Sequence, residues 1–229
     1  MSSPKYLLPL TSSFKSNANS EIALQMGKYM RNLFPFYGIK SPMRTEIYRD
    51  FKKDNGIIPE INKDEIVKWC WHAPEREYQY FAMEFSRKSS KKESKDILNL
   101  YEHMIINKSW WDTVDFIASN LLGVYFTRFP EEIVPTTQRW MKSRNIWLQR
   151  SCLLFQLKYK TRINTDLLNS FILQLNESDE FFIQKAIGWI LREYSKTNPD
   201  FVISYVSNNN LATLSSREAL LWLKNRGSV

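Results

Sequence analysis

Asp115 lies in the stretch SWWDTVDFIASNLLG, and its neighbours decide what chemistry that carboxylate can do. On a helix, positions i and i+4 share a face, whereas adjacent residues point about 100° apart. Trp110, Val114, Ile117 and Leu121 therefore form one apolar stripe, which is expected to face the core. Trp111 and Asp115 form another pair on a different side. A step of 35 residues carries Asp115 to Arg150, and a second step carries it to Lys185. The same step backwards reaches Tyr80, and Trp189 lies one turn after Lys185. A lone carboxylate, an arginine and two indoles are the reactive set on offer. Other chemistries have little support. The two histidines, His72 and His103, show no HExxH or other ligand spacing, so no metal is expected. Cys70 and Cys152 sit far apart in apolar, aromatic surroundings and read as buried free thiols. No glycine-rich phosphate loop occurs, and no nucleotide cofactor is expected.

The elements that must position these residues come in a repeat. The blocks EREYQYFAMEF, SWWDTVDFIASNLLG, NIWLQRSCLLFQLKY, EFFIQKAIGWILREY and LSSREALLWLKNR resemble one another. Between them lie other helical patterns, such as KDEIVKWCWHA, SKDILNLYEHMIIN, NTDLLNSFILQLN and NPDFVISYVSNN. Asn164 and Asn198 stand where a helix N-cap is needed, and Pro199 suits a first turn. No segment alternates with period two between turn signals, so strands are not expected. Two helices and two short turns fill about 35 residues, the signature of a HEAT- or armadillo-like solenoid. The tetratricopeptide signature is missing. Upstream, EIALQMGKYMRNLFPFYG reads as a helix ending near Gly38. SPMRTEIYRDFKKDNG reads as another, with Ser41 as N-cap, Pro42 in the first turn and Gly56 past the end. The polar run 86–95 reads as a basic loop or frayed helix end. Residues 1–229 are then one all-α domain, an αα superhelix with its clearest repeats from about 60 to 225.

In such an array the second helix of each pair lines the concave side, where solenoids bind extended partners. Tyr80, Asp115, Arg150 and Lys185 would form a polar row there, flanked by Trp111 and Trp189. Each residue alone has a plainer reading: a core indole, a solvated aspartate, an arginine paired with a carboxylate. Their joint placement by the repeat favours a site. The net charge of +8 points to an anionic partner, nucleic acid first. No apolar run approaches a membrane span, and MSSPKYLLPLTSSFKS is too broken by Pro4 and Pro9 for a signal peptide, so a cytoplasmic protein without membrane attachment is expected.

At these residues the sequence resembles the AlkD-type alkylpurine DNA glycosylases of the bacterial DNA alkylation repair family. The likeness runs from GKYMRNLFPFYGIKSPMR to LSSREALLWL. It is strongest in KSWWDTVD, NIWLQRSCLLFQLKYK and FFIQKAIGWILREYSKTNPD. The resemblance implies a HEAT-like superhelix with a basic concave groove, and release of purines alkylated at N3 or N7 from double-stranded DNA. It implies that Asp115 is the catalytic carboxylate, that Trp111 and Trp189 are active-site tryptophans, and that Arg150 is the conserved arginine, suited to a phosphate near the lesion. Tyr29, Lys40, Ser41 and Arg44 match a DNA-contacting region, and Lys158, Lys185 and Arg192 are further candidate contacts. A monomer that works in base excision repair near the nucleoid, without a cofactor, is expected. Two rivals are a HEAT-like protein that binds unusual DNA without catalysis and a peptide-binding scaffold. The charge and the Arg150–Lys185 row speak against the scaffold, and the retained Asp115 against the passive binder.

Overall fold

The computed structural model describes residues 4–56 and 63–227; the start of the repeat region, 60–62, lies outside the described residues. Among the described residues all regular structure is helical, and no strand occurs. The chain gathers into two compact units, residues 1–88 and 89–229, and the division falls within the polar run 86–95.

The first unit holds α1 (Leu8–Ser16), α2 (Ser20–Tyr29), α3 (Ser41–Asn55), α4 (Lys63–His72) and α5 (Arg76–Ser89). Helix α1 was not expected from the sequence, where Pro4 and Pro9 counted only against a signal peptide. Pro9 falls in the first turn, where no backbone donor is needed, so the helix forms around it. Phe14 from this helix packs edge-on to Tyr78 at 5.2 Å and lies 5.7 Å from Tyr37.

The helix expected to reach Gly38 ends instead at Tyr29. Arg31 and Asn32 adopt left-handed backbone angles, with φ of 54° and 57°, which no helix continues through. The chain then loops to Gly38, where φ is +85° and a β-carbon would lie 2.1 Å from the Asn19 carbonyl oxygen. Glu77 fixes this loop: its buried carboxylate accepts the backbone N–H groups of Tyr37 (3.1 Å), Gly38 (3.0 Å) and Ile39 (3.1 Å). Burial pushes the Glu77 carboxyl above its ordinary range, and the three amides oppose that push. Helix α3 starts one residue from expectation: Lys40 is the N-cap and Ser41 the first helical residue, followed by Pro42. Gly56 closes it with φ of 72°, as its position suggested.

The second unit begins with α6 (Ile97–Ile106). Helix α7 (Trp111–Phe116) runs through a π-helical turn (Ile117–Leu122) into α8 (Gly123–Arg128). There follow α9 (Ile133–Lys142), α10 (Ile146–Leu154), α11 (Thr165–Leu175), α12 (Phe181–Ser195), α13 (Pro199–Asn208) and α14 (Thr213–Lys224). The first residues of α7, α10 and α12 are Trp111, Ile146 and Phe181, so the 35-residue step is the spacing of these helices. Helix α10 packs against α7 and α12, and α12 packs against α14, which is the neighbour-on-neighbour order of a helical-repeat fold. Side chains of Asn145, Asn164 and Asn198 cap α10, α11 and α13. Val114, Ile117 and Leu121 are fully buried, as their spacing required, and so are both cysteines. Helix α14 crosses α12 at Gly188, where a β-carbon would lie 2.8 Å from the Ser215 carbonyl oxygen. Only a residue without a side chain allows that approach.

Glu77→Ala should lower the stability of the first unit by about 3 kcal/mol in urea unfolding, because it orphans three backbone donors. A loss below about 0.5 kcal/mol would show that water replaces the carboxylate freely.

Candidate active site

Asp115 and Arg150 meet across neighbouring repeat helices. Arg150 Nε donates to Asp115 Oδ1 at 2.7 Å and Nη2 donates to Oδ2 at 2.8 Å, a two-point grip. Nη1 of the same guanidinium donates to the main-chain carbonyl of Phe182 in the first turn of α12. The side chains are 13% and 5% exposed for Asp115 and Arg150. The 35-residue step placed these residues in an open polar row; they meet instead as a directly bonded pair sunk into the surface. Arg150, expected to meet a phosphate, turns its fork onto the carboxylate. Its geometry is that of a residue that aims and charge-balances Asp115.

Burial raises the Asp115 carboxyl above its ordinary value of 3.8. The bonds and charge of Arg150 pull it back, and Asp112 in the first turn of the same helix adds to the rise. The carboxylate sits just before the π-helical turn. A widened turn frees backbone carbonyls, and local side chains take them. Ser119 Oγ donates to the Asp115 carbonyl at 2.7 Å, and Asn120 Nδ2 donates to the Phe116 carbonyl at 3.0 Å. Neither residue was singled out from the sequence, although a serine and an asparagine at i+4 and i+5 from the carboxylate are a usable signal.

Trp111 opens α7 and is half-buried, one turn before Asp115. Trp110 departs from expectation. It caps α7 with extended backbone (φ −158°) and lies outside the helical stripe, half-buried. Its ring packs against Phe182 at 4.9 Å and Trp147 at 5.7 Å. An aromatic cluster from the starts of three repeat helices therefore braces the pair, and Phe182 serves both with its ring and with its carbonyl. Trp189 is half-buried on α12, one turn after Lys185.

The remaining candidate contacts divide by unit. In the second unit, Lys185 Nζ and Arg192 Nη1 each lie 2.8 Å from Glu218 on α14, a carboxylate that sequence reasoning missed. Lys158 Nζ lies 2.5 Å from Asn120 Oδ1. In the first unit, Tyr29 ends α2 and is largely exposed, and Lys40 and Ser41 are exposed at the start of α3. Arg44 is half-buried, with its guanidinium 4.4 Å above the ring of Tyr80. Among the described residues no cluster of His, Cys, Asp or Glu is arranged to hold a metal ion, and no helix is long and apolar enough to cross a membrane.

A buried carboxylate gripped by arginine and braced by indoles, on a ladder of repeat helices, defines a helical-repeat protein with one candidate reactive acid. Comparison with known families narrows this. The model of the DNA alkylation repair enzyme family matches residues 10–223, and the chain belongs to that family. It is also similar to a solved structure, a predicted DNA alkylation repair enzyme from Enterococcus faecalis. That likeness has 32% identity and a TM-score of 0.83, and covers 90% of this chain and 96% of the other. No curated protein matches the sequence. The chain's role is in the repair of alkylated DNA.

Removing one partner of a buried ion pair strands the other. Arg150→Met and Asp115→Leu should each cost about 3–5 kcal/mol in denaturant unfolding. The double variant should recover at least half of the summed loss. Additive losses would mean that the two side chains are not coupled.

Proposed function

We propose that the protein is a monofunctional DNA glycosylase that hydrolyses the N-glycosidic bond of cationic N3- or N7-alkylated purines in double-stranded DNA. The observation that carries this reading is the Asp115 carboxylate, held at two points by Arg150 and still partly open to solvent. An alkylated purine already carries positive charge, so it leaves without a strong general acid. The C1′–N9 bond breaks with its electron pair going to the purine, which departs neutral. The sugar becomes oxocarbenium-like, water adds at C1′, and the water proton is lost to Asp115 or solvent. One anionic carboxylate beside the sugar suffices to stabilise that charge and guide the water. Trp111 and Trp189 hold the cationic nucleotide through ring faces, each contact contributing about 0.5–2 kcal/mol. Arg150 keeps Asp115 aimed, so its contribution passes through the carboxylate. Tyr29, Lys40, Ser41, Arg44, Lys158, Lys185 and Arg192 take the DNA backbone. The chain works as one domain over residues 1–229, as a cytoplasmic monomer without a cofactor.

A second reading has one observation in its favour: Arg150 neutralises much of Asp115, as in a structural pair. On that reading the protein binds damaged DNA without cleaving it.

Duplex DNA treated to contain 7-methylguanine and 3-methyladenine decides between them. Wild type should release free base, and Asp115→Asn should do so about 100- to 1,000-fold more slowly. No release by wild type, with binding intact, leaves the binder. An equally fast Asn variant removes Asp115 from the mechanism.

The rate should also depend on pH with a definite sign. The ionised carboxylate is the active form, and burial raises its pKa above 3.8. Single-turnover release should therefore fall as pH drops through that raised value, above the range of an exposed aspartate. A rate that is flat with pH until unfolding would contradict this.

A further inference from the structure

Glu218 is the one charged side chain of α14 drawn under the face of α12. Its Oε1 lies 2.8 Å from Lys185 Nζ and its Oε2 lies 2.8 Å from Arg192 Nη1, so one carboxylate spans two cations seven residues apart. Seven residues are about 10 Å along a helix. Trp189, one turn after Lys185, falls between them on the same face. The exposures fix the order of the layers: the carboxylate is 11% exposed, whereas the lysine and arginine are 35% and 27% exposed. The acid sits behind and the cations sit in front. The Lys185 ammonium, with Arg192 adding to it, holds the Glu218 carboxyl below its ordinary range, so it is anionic at neutral pH. Gly188 lets α14 come close enough for this, since a β-carbon there would lie 2.4 Å from Glu218 Cβ.

We propose that Glu218 is a positioning residue that builds a phosphodiester clamp, fixing Lys185 and Arg192 on either side of Trp189 to take backbone phosphates of duplex DNA. This rests on the reading of Lys185 and Arg192 as DNA contacts. Pulling either cation away would leave a buried carboxylate short of its partner, so both stay where Glu218 holds them. A lysine keeps two further N–H donors and an arginine four after each gives one to the acid, and those donors remain for phosphate oxygens. Without the carboxylate, both long side chains recover rotamer freedom, which binding must then remove. The opposing effect, loss of one negative charge near a polyanion, is weakened because the charge lies behind two cations and is screened by salt. Ordering is the larger effect.

The sign of the outcome separates this role from its rivals. Binding of an undamaged duplex oligonucleotide by the full chain is measured across a salt series from about 50 to 200 mM. Lys185→Met and Arg192→Met should each weaken binding several-fold and lower the salt slope by about one. Glu218→Gln, although it removes a negative charge, should weaken binding about fivefold and also make the slope shallower. Glu218→Asp keeps the charge but is too short to span both cations, and should lose affinity in the same direction. Tighter binding or a steeper slope in Glu218→Gln would make the acid a brake on DNA binding and overturn the proposal. So would wild-type affinity in Glu218→Asp, or a wild-type protein that does not bind duplex DNA. A loss of affinity with an unchanged slope would mark a merely structural role and likewise overturn it. Because the probe carries no damaged base, a failure of base release leaves this result intact, and a failed clamp leaves Asp115 chemistry intact.

Discussion

The buried pairing of Asp115 with Arg150 is the constraint on which the second unit depends. Each ion taken out of water costs several kcal/mol unless its partner and its hydrogen bonds are in place. That requirement ties together three elements: α7 supplies the acid, α10 the guanidinium and the first turn of α12 the carbonyl for the third bond. A small shift of any one helix would leave a donor or a charge without its partner. The apolar packing enforces the same register, because Trp110, Trp147 and Phe182 come from the starts of the same three helices. The ion pair and the repeat are therefore one piece of construction.

The repeat was legible because its helices begin at a constant step. Trp111, Ile146 and Phe181 mark that step, and the Asp115–Arg150 pair follows from it. Polar capping by Asn164 and Asn198 was legible for a local reason: a side-chain oxygen placed just before an apolar run has few other uses. What the spacing could not give was depth. The same step carried on to Lys185, but nothing in it says that the row sinks at Arg150 or that Lys185 turns toward α14. The first outcome depends on the bonds Arg150 makes to Asp115 and to the Phe182 carbonyl, the second on the close crossing of α12 and α14 at Gly188.

Irregular backbone was the other blind spot. Trp110 looked like a member of the helical stripe because periodicity does not mark where the first turn begins. One extended residue moves an indole from the core stripe to a bracing stack. The π-helical turn after Asp115 is similar: its wider turn buries both Leu121 and Leu122, a pattern that still reads as an ordinary apolar run. In the first unit, α2 stops because Arg31 and Asn32 turn left-handed, and the loop beyond it is held by Glu77 from 38–40 residues away. Long-range carboxylate bonds of that kind leave no local signature.

Among the described residues Glu77, Glu218 and Asp115 are carboxylates drawn out of solvent, and their surroundings differ in a way that favours Asp115 for the proposed chemistry. Glu77 is fully buried and occupied by three backbone amides, so its bonds close a loop. Glu218 lies between two cations that hold its carboxyl low, so its charge is already answered twice. Asp115 has one cation, gripped on its flank, while burial works against that cation and raises its carboxyl. A carboxylate that is costly to keep charged gains most from a positive charge developing beside it. On the proposed glycosylase reading that gain would come only as the glycosidic bond breaks, so the stabilisation would fall on the transition state and not on the resting DNA.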